Sequence, residues 1–119
     1  MQNNIIPHSI SLDEAIQLTS SFQSSRPEDM PVCETFEKSS VVALLQVTGA
    51  EKFRIYYGKK VNGEICAVLV AADADGRDIL PAQNEINNPI NTDEGDALIL
   101  ENSFKCPYAC PPESPLYQG

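Results

Sequence analysis

No run in the 119-residue chain approaches the ~18 uninterrupted apolar residues of a membrane-spanning helix, so a membrane-embedded protein is not expected. Basic residues are scarce as well: 8 Lys and Arg stand against 17 Asp and Glu, for a net charge of -9. Nucleic acid and anionic lipid are both gripped through clustered cations on phosphate, so neither is expected as a partner. The opening Met1–Pro7 lacks a positive stretch followed by a long apolar one and does not read as a secretory signal, which places the expected location in the cytoplasm.

The familiar catalytic signatures are missing too. There is no G-x-G-x-x-G, no G-x-x-x-x-G-K-[ST], no H-E-x-x-H and no G-x-S-x-G, so motifs give an enzyme no support and imply no cofactor. The one histidine, His8, precedes the first expected helix, a poor place for a general base.

What is present suffices for a single domain over residues 1–119, with 1–9 as a flexible lead and 106–119 as an extended tail. Ser11-Leu12-Asp13-Glu14 has the form of a capping box, in which serine and glutamate satisfy free amides at a helix start. Leu12, Ala15, Ile16, Thr19 and Phe22 then recur at helical spacing as one apolar stripe, until Arg26-Pro27 ends it. Val32–Phe36 reads as extended. Val41, Leu44 and Leu45 supply the buried side of a second helix closed by Gly49.

Phe53–Tyr57 and Ile65–Ala72 are β-prone runs joined across Asn62-Gly63, the pair that favours a two-residue hairpin turn. That turn sets Val61 opposite Glu64, Tyr57 opposite Val68, Ile55 opposite Val70 and Arg54 opposite Ala71. Phe53, Ile55, Tyr57, Val68 and Val70 then face the core, while Arg54, Tyr56, Gly58, Leu69 and Ala71 share the other face. A turn at Asp75-Gly76 leads to a short strand at Ile79-Leu80; residues 81–96 are irregular, and Ala97–Leu100 favours strand. The expected fold class is α+β: two helices packed on one face of a small antiparallel sheet centred on the 53–72 hairpin, with a Pro- and Cys-containing tail extended along the domain.

Glu34-Thr35-Phe36, Arg54-Ile55-Tyr56-Tyr57-Gly58, Asp78-Ile79-Leu80-Pro81 and Cys106-Pro107-Tyr108-Ala109-Cys110-Pro111-Pro112 occur in an order that resembles a family of small uncharacterised bacterial proteins. The resemblance runs from about Ile10 onward. It implies a bacterial, cytoplasmic origin and transfers no activity, cofactor or site residue.

Three clusters could carry chemistry. Asp73, Asp75 and Asp78 suggest calcium, but matching an EF-hand loop by its glycine puts Ala71 and Ala82 at the first and last ligand positions, so a turn with solvated aspartates explains them better. Cys33, Cys66, Cys106 and Cys110 contain only one closely spaced pair where a structural zinc uses two; Cys106 and Cys110 could instead act as a thiol pair or close a disulfide. Arg54, Tyr56, Lys60 and Leu69 mark the mixed sheet face, and arginine and tyrosine are strong interface anchors. The leading expectation is therefore a non-enzymatic interaction module that binds a protein partner or itself through that face. The alternative is a small thiol-redox or metal- or ligand-binding protein acting through Cys106 and Cys110.

Overall fold

The computed structural model describes residues 6–81 and 96–117. Within them the chain forms two helices and two small antiparallel sheets, an α+β fold. Helix α1, Leu12–Ser24, begins at the capping box: Ser11 Oγ accepts from the Glu14 amide at 3.0 Å, and Glu14 Oε1 accepts from the Ser11 amide at 3.4 Å. Strand β1, Cys33–Thr35, leads into helix α2, Lys38–Leu45. The hairpin follows as β2, Lys52–Lys59, and β3, Ile65–Ala72; β4, Asp78–Ile79, and β5, Phe104–Cys106, complete the set. Most of the irregular 81–96 stretch falls outside the described residues.

One sheet has the order β2-β3-β4 and the other pairs β1 with β5. The core joins Leu44 and Val47, on α2 and at its exit, to Ala67, Leu69 and Ala71 of β3, with Phe36, Ala50, Ile79, Leu98 and Leu100 packed around them. Among the described residues the helical side of this core is α2 alone. No residue of α1 is buried, and its Leu12 and Leu18 stand 60% and 64% exposed. The reason is connectivity: a short link from α2 to β2 lays that helix on the hairpin, while a proline-containing connection carries α1 away. The side chain of Gln23 meets the tail instead, donating to the Leu116 carbonyl at 2.8 Å.

The hairpin has its expected strands but a different register. Arg54 faces Val70, Ile55 faces Leu69, Tyr56 faces Val68 and Tyr57 faces Ala67. The loop holds three residues, not two: the Gly63 amide donates to the Lys60 carbonyl, and the Lys60 amide donates to the Glu64 carbonyl, each at 2.8 Å. Gly63 sits at φ 94°, the left-handed region such a turn requires, and the Glu64 amide donates to Asn62 Oδ1 at 3.0 Å. One extra loop residue slides β3 by one position and turns its side chains over. Leu69 and Ala71 consequently enter the core, and Val68 and Val70 move to the Arg54 side.

The expected strand at Ala97–Leu100 reduces to one bridge, in which Leu69 and Leu100 exchange amide-to-carbonyl bonds of 2.9 and 3.0 Å. The tail also departs from an extended path. Cys106 and Cys110 form a disulfide with their Cα atoms 4.5 Å apart, and the Ala109 amide donates to the Lys105 carbonyl at 2.7 Å, so the chain turns back there. Four residues of extended chain would span roughly 13 Å.

Candidate functional site

Alternation along β2 puts Arg54 and Tyr56 on one face, where Asp78 joins them from β4 through its pairing with Ala72. The Arg54 guanidinium donates to Asp78 Oδ1 and, at 3.0 Å, to the Gly76 carbonyl; the Tyr56 hydroxyl donates to Asp78 Oδ2 at 2.5 Å. Hydrogen bonds from Tyr56 and then Arg54 hold the Asp78 carboxyl below its usual range. The same carboxylate raises Arg54 and Tyr56 above theirs, chiefly through those bonds. Two expected partner-binding side chains are thus engaged within the protein, tying β2 to β4 across β3.

Asp73 is likewise occupied. Its Oδ1 accepts from the amides of Asp75 and Arg77, both at 2.9 Å, closing the turn before β4, and the Arg77 amide does most to hold its carboxyl low.

Lys60 pairs with Glu101 at 3.2 Å and belongs to a second cluster, where the sheets meet. Lys105 lies 3.6 Å from both Glu34 and Glu101 and donates to Ser103 Oγ at 2.9 Å. Ser103 donates to Glu34 Oε1 at 2.7 Å, and the same oxygen accepts from the Ala67 amide at 3.2 Å. The Lys105 and Glu34 side chains are 8% and 14% exposed, so desolvation of each charge is offset by paired partners. Here Glu34 links β1 to β3, a fixed joint between the sheets. Cavities open beside Met30 and Tyr108 and beside Leu45 and Phe53, and Ser103 lines neither of these.

Leu69, the fourth expected binding residue, is 3% exposed and lies on the face opposite Arg54 and Tyr56. The exposed apolar surface of the sheet is elsewhere: Phe53, Ile55 and Tyr57 of β2 are 44%, 47% and 71% exposed, on the same face as one another. Leu45 of α2 is also exposed nearby, where it lines a shallow cavity of about 180 Å³ with Phe53 and Lys52. Sequence reasoning placed Phe53, Ile55 and Tyr57 on the core face. That face is right, but β2 is the edge of its sheet, and α2 lies over β3.

The other edge of β3 is covered from end to end. Ala71 and Ala72 pair with β4, Leu69 with Leu100, the Ala67 amide with Glu34, and the Ile65 amide with the Asp29 carbonyl at 2.7 Å. By contrast, no strand pairs with the outer edge of β2 among the described residues. Hydrogen bonding at Lys60 and Glu64 fixes the alternation, so the backbone groups of Phe53, Ile55, Tyr57 and Lys59 point outward along that edge.

Of the remaining thiols, Cys66 is buried opposite Gly58, where an added Cβ would stand 3.4 Å from its sulfur. Cys33 is free, partly buried, and directly across the strand pair from Cys106. Among the described residues no group of three or more His, Cys, Asp or Glu could hold a metal ion. No helix among the described residues is long and apolar enough to cross a membrane. No family model, no curated protein and no solved structure matches the chain.

Proposed function

We propose that the chain is an interaction module whose contact surface is the outer edge of β2, and that its partner is a second copy of itself. The observation that carries this reading is an eight-residue strand with no neighbour on one side among the described residues and three exposed apolar side chains in a row. Such an edge is a template for a further strand.

The order of side chains favours self-pairing. Phe53-x-Ile55-x-Tyr57 reads as aromatic, aliphatic, aromatic in both directions, so two antiparallel copies centred on Ile55 set Ile55 against Ile55 and Phe53 against Tyr57 twice. These are the residues whose backbone groups point outward. In that register Glu51 meets Lys59 at each end, whereas centring on Tyr56 would oppose Lys52 and Lys60. Joining two chains of net charge -9 opposes association at long range, and salt screens that repulsion.

Sedimentation across a concentration series tests the reading. The expected result is a monomer–dimer equilibrium strengthened by salt, abolished by Ile55→Lys, weakened by Lys59→Glu and restored by the pair Lys59→Glu with Glu51→Lys. A strict monomer at every concentration, or an Ile55→Lys variant that dimerises as the parent does, would overturn it.

A further inference from the structure

The β1–β5 pairing places Cys33 directly opposite Cys106, whose sulfur is already bonded to Cys110. Directly opposed residues in an antiparallel pair have Cα atoms about 4.5 to 5.5 Å apart, inside the roughly 4.4 to 6.8 Å range over which a disulfide forms. Cys110 is bonded to Cys106 with their Cα atoms 4.5 Å apart, and Cys33 stands opposite Cys106 in the strand pair. Cys106 therefore has a second cysteine at a register position whose usual backbone spacing suits a disulfide.

We infer that Cys33, Cys106 and Cys110 form a thiol–disulfide exchange site in which the bond to Cys106 passes between Cys110 and Cys33. In the forward step the Cys33 thiol loses its proton and its sulfur attacks Cys106 Sγ. The Cys33–Cys106 bond forms as the Cys106–Cys110 bond breaks, and the electron pair of the broken bond leaves on Cys110, which takes up a proton. One disulfide and one thiol stand on each side, so no external oxidant or reductant is consumed.

The surroundings suit a controlled exchange. Cys106 is 1% exposed, so its sulfur is reached from within the fold more readily than from solvent. Cys33 and Cys110 are both partly exposed, which gives a small thiol or disulfide access to the ends of the relay. A cavity of about 290 Å³ opens beside the turn, lined in part by Met30, Pro31, Pro107 and Tyr108. Burial, and then the neighbouring Glu34 carboxylate, push the Cys33 thiol up from its ordinary value, which keeps the attacking thiolate scarce near neutrality. Glu34 itself is paired with Lys105 on the opposite strand.

The two bonded forms differ in shape. With Cys106 bonded to Cys110 the tail is held in its turn; with Cys106 bonded to Cys33 the two strands are stapled and the turn is released. This would make the tail after Cys106 the element that responds to exchange.

The test is alkylation of the oxidised full-length protein with iodoacetamide, followed by peptide mapping without reduction. Two populations are expected, one alkylated at Cys33 with the Cys106–Cys110 bond and one alkylated at Cys110 with a Cys33–Cys106 bond, the second growing with time at mildly alkaline pH. The Cys110→Ser variant in a glutathione redox buffer should form the Cys33–Cys106 bond, while Cys33→Ser should leave Cys110 unmodified. Alkylation confined to Cys33, bonding of Cys33 to Cys66, or a Cys110→Ser variant with native circular dichroism and both remaining thiols reduced would overturn the inference. If Cys110→Ser does not fold, time-resolved mapping of the parent decides alone.

Discussion

Strands β2 and β3 are equal in length and paired along their whole extent, yet they occupy opposite environments. Six of the eight residues of β3 are buried, whereas β2 has none. The difference lies in what stands on the far side of each. Every second backbone group of β3 finds a partner from a different part of the chain, and α2 covers one of its faces; β2 has β3 and no second strand among the described residues. Burial in a small sheet is set by position in the strand order more than by the apolarity of the strand, since Phe53, Ile55 and Tyr57 are larger than the alanines that are buried.

The directly opposed pair Leu69 and Ile55 offers the most severe way to break that contrast. Leu69→Ala should lower unfolding free energy by about 2 to 5 kcal/mol, the usual range for emptying a core leucine site. Ile55→Ala, measured by the same urea titration on dilute protein, should lower it by only ~1 kcal/mol, because half its surface is already in water. Equal losses would mean that the face of β2 is covered and that the contrast is false.

A smaller effect is expected from the loop that fixes the register. Gly63→Ala should destabilise by about 1 to 2 kcal/mol, the cost of holding a side-chain-bearing residue in the left-handed region. No atom lies within 4 Å of the added Cβ, so the loss should come from the backbone alone, and an asparagine there should recover part of it. Chemical-shift mapping that instead showed Val70 moving to the core face would identify a register slip.

The smallest effect concerns the bracing of β2 through Asp78. A carboxyl whose value is depressed on folding contributes stability above its unfolded value, about 3.9 for aspartate, and loses it as pH falls through the folded one. Stability should therefore decline as pH drops below ~5, and Asp78→Asn should flatten that decline while lowering stability at neutral pH. Asp73 and Asp96, held low by the Arg77 amide and by Thr48, should leave a residual slope in the variant. An acid limb unchanged by Asp78→Asn would show that the ion pair does not couple β2 to β4.

The elements legible in the sequence were those with local signals. The capping box at Ser11 and Glu14 marks α1, and the β-prone runs on either side of Asn62-Gly63 mark β2 and β3. The register was not legible, because Asn-Gly serves both a two-residue turn and the last two positions of a three-residue one. That single ambiguity put Leu69 beside Arg54 and Tyr56, when its true neighbours are Leu44 and Ala71. Arg54, Tyr56 and Lys60 were recognisable as a charged and aromatic group, but Asp78 and Glu101, which hold them, lie far along the chain. The pairing of β1 with β5 was invisible for the same reason. Three-residue strands carry no readable period, and nothing near Cys33 announces a partner at Cys106.

Pairing β1 with β5 also makes a ring of the segment between them, with the three-stranded sheet inside it and α1 outside. The entropy lost in closing a ring grows only with the logarithm of its length, so doubling the enclosed chain would add about 0.6 kcal/mol. The positions of β1 and β5 thus depend little on how much sequence lies between β4 and β5. Additional chain could be inserted in that connection with small thermodynamic consequence, leaving the sheet and its exposed edge where they are.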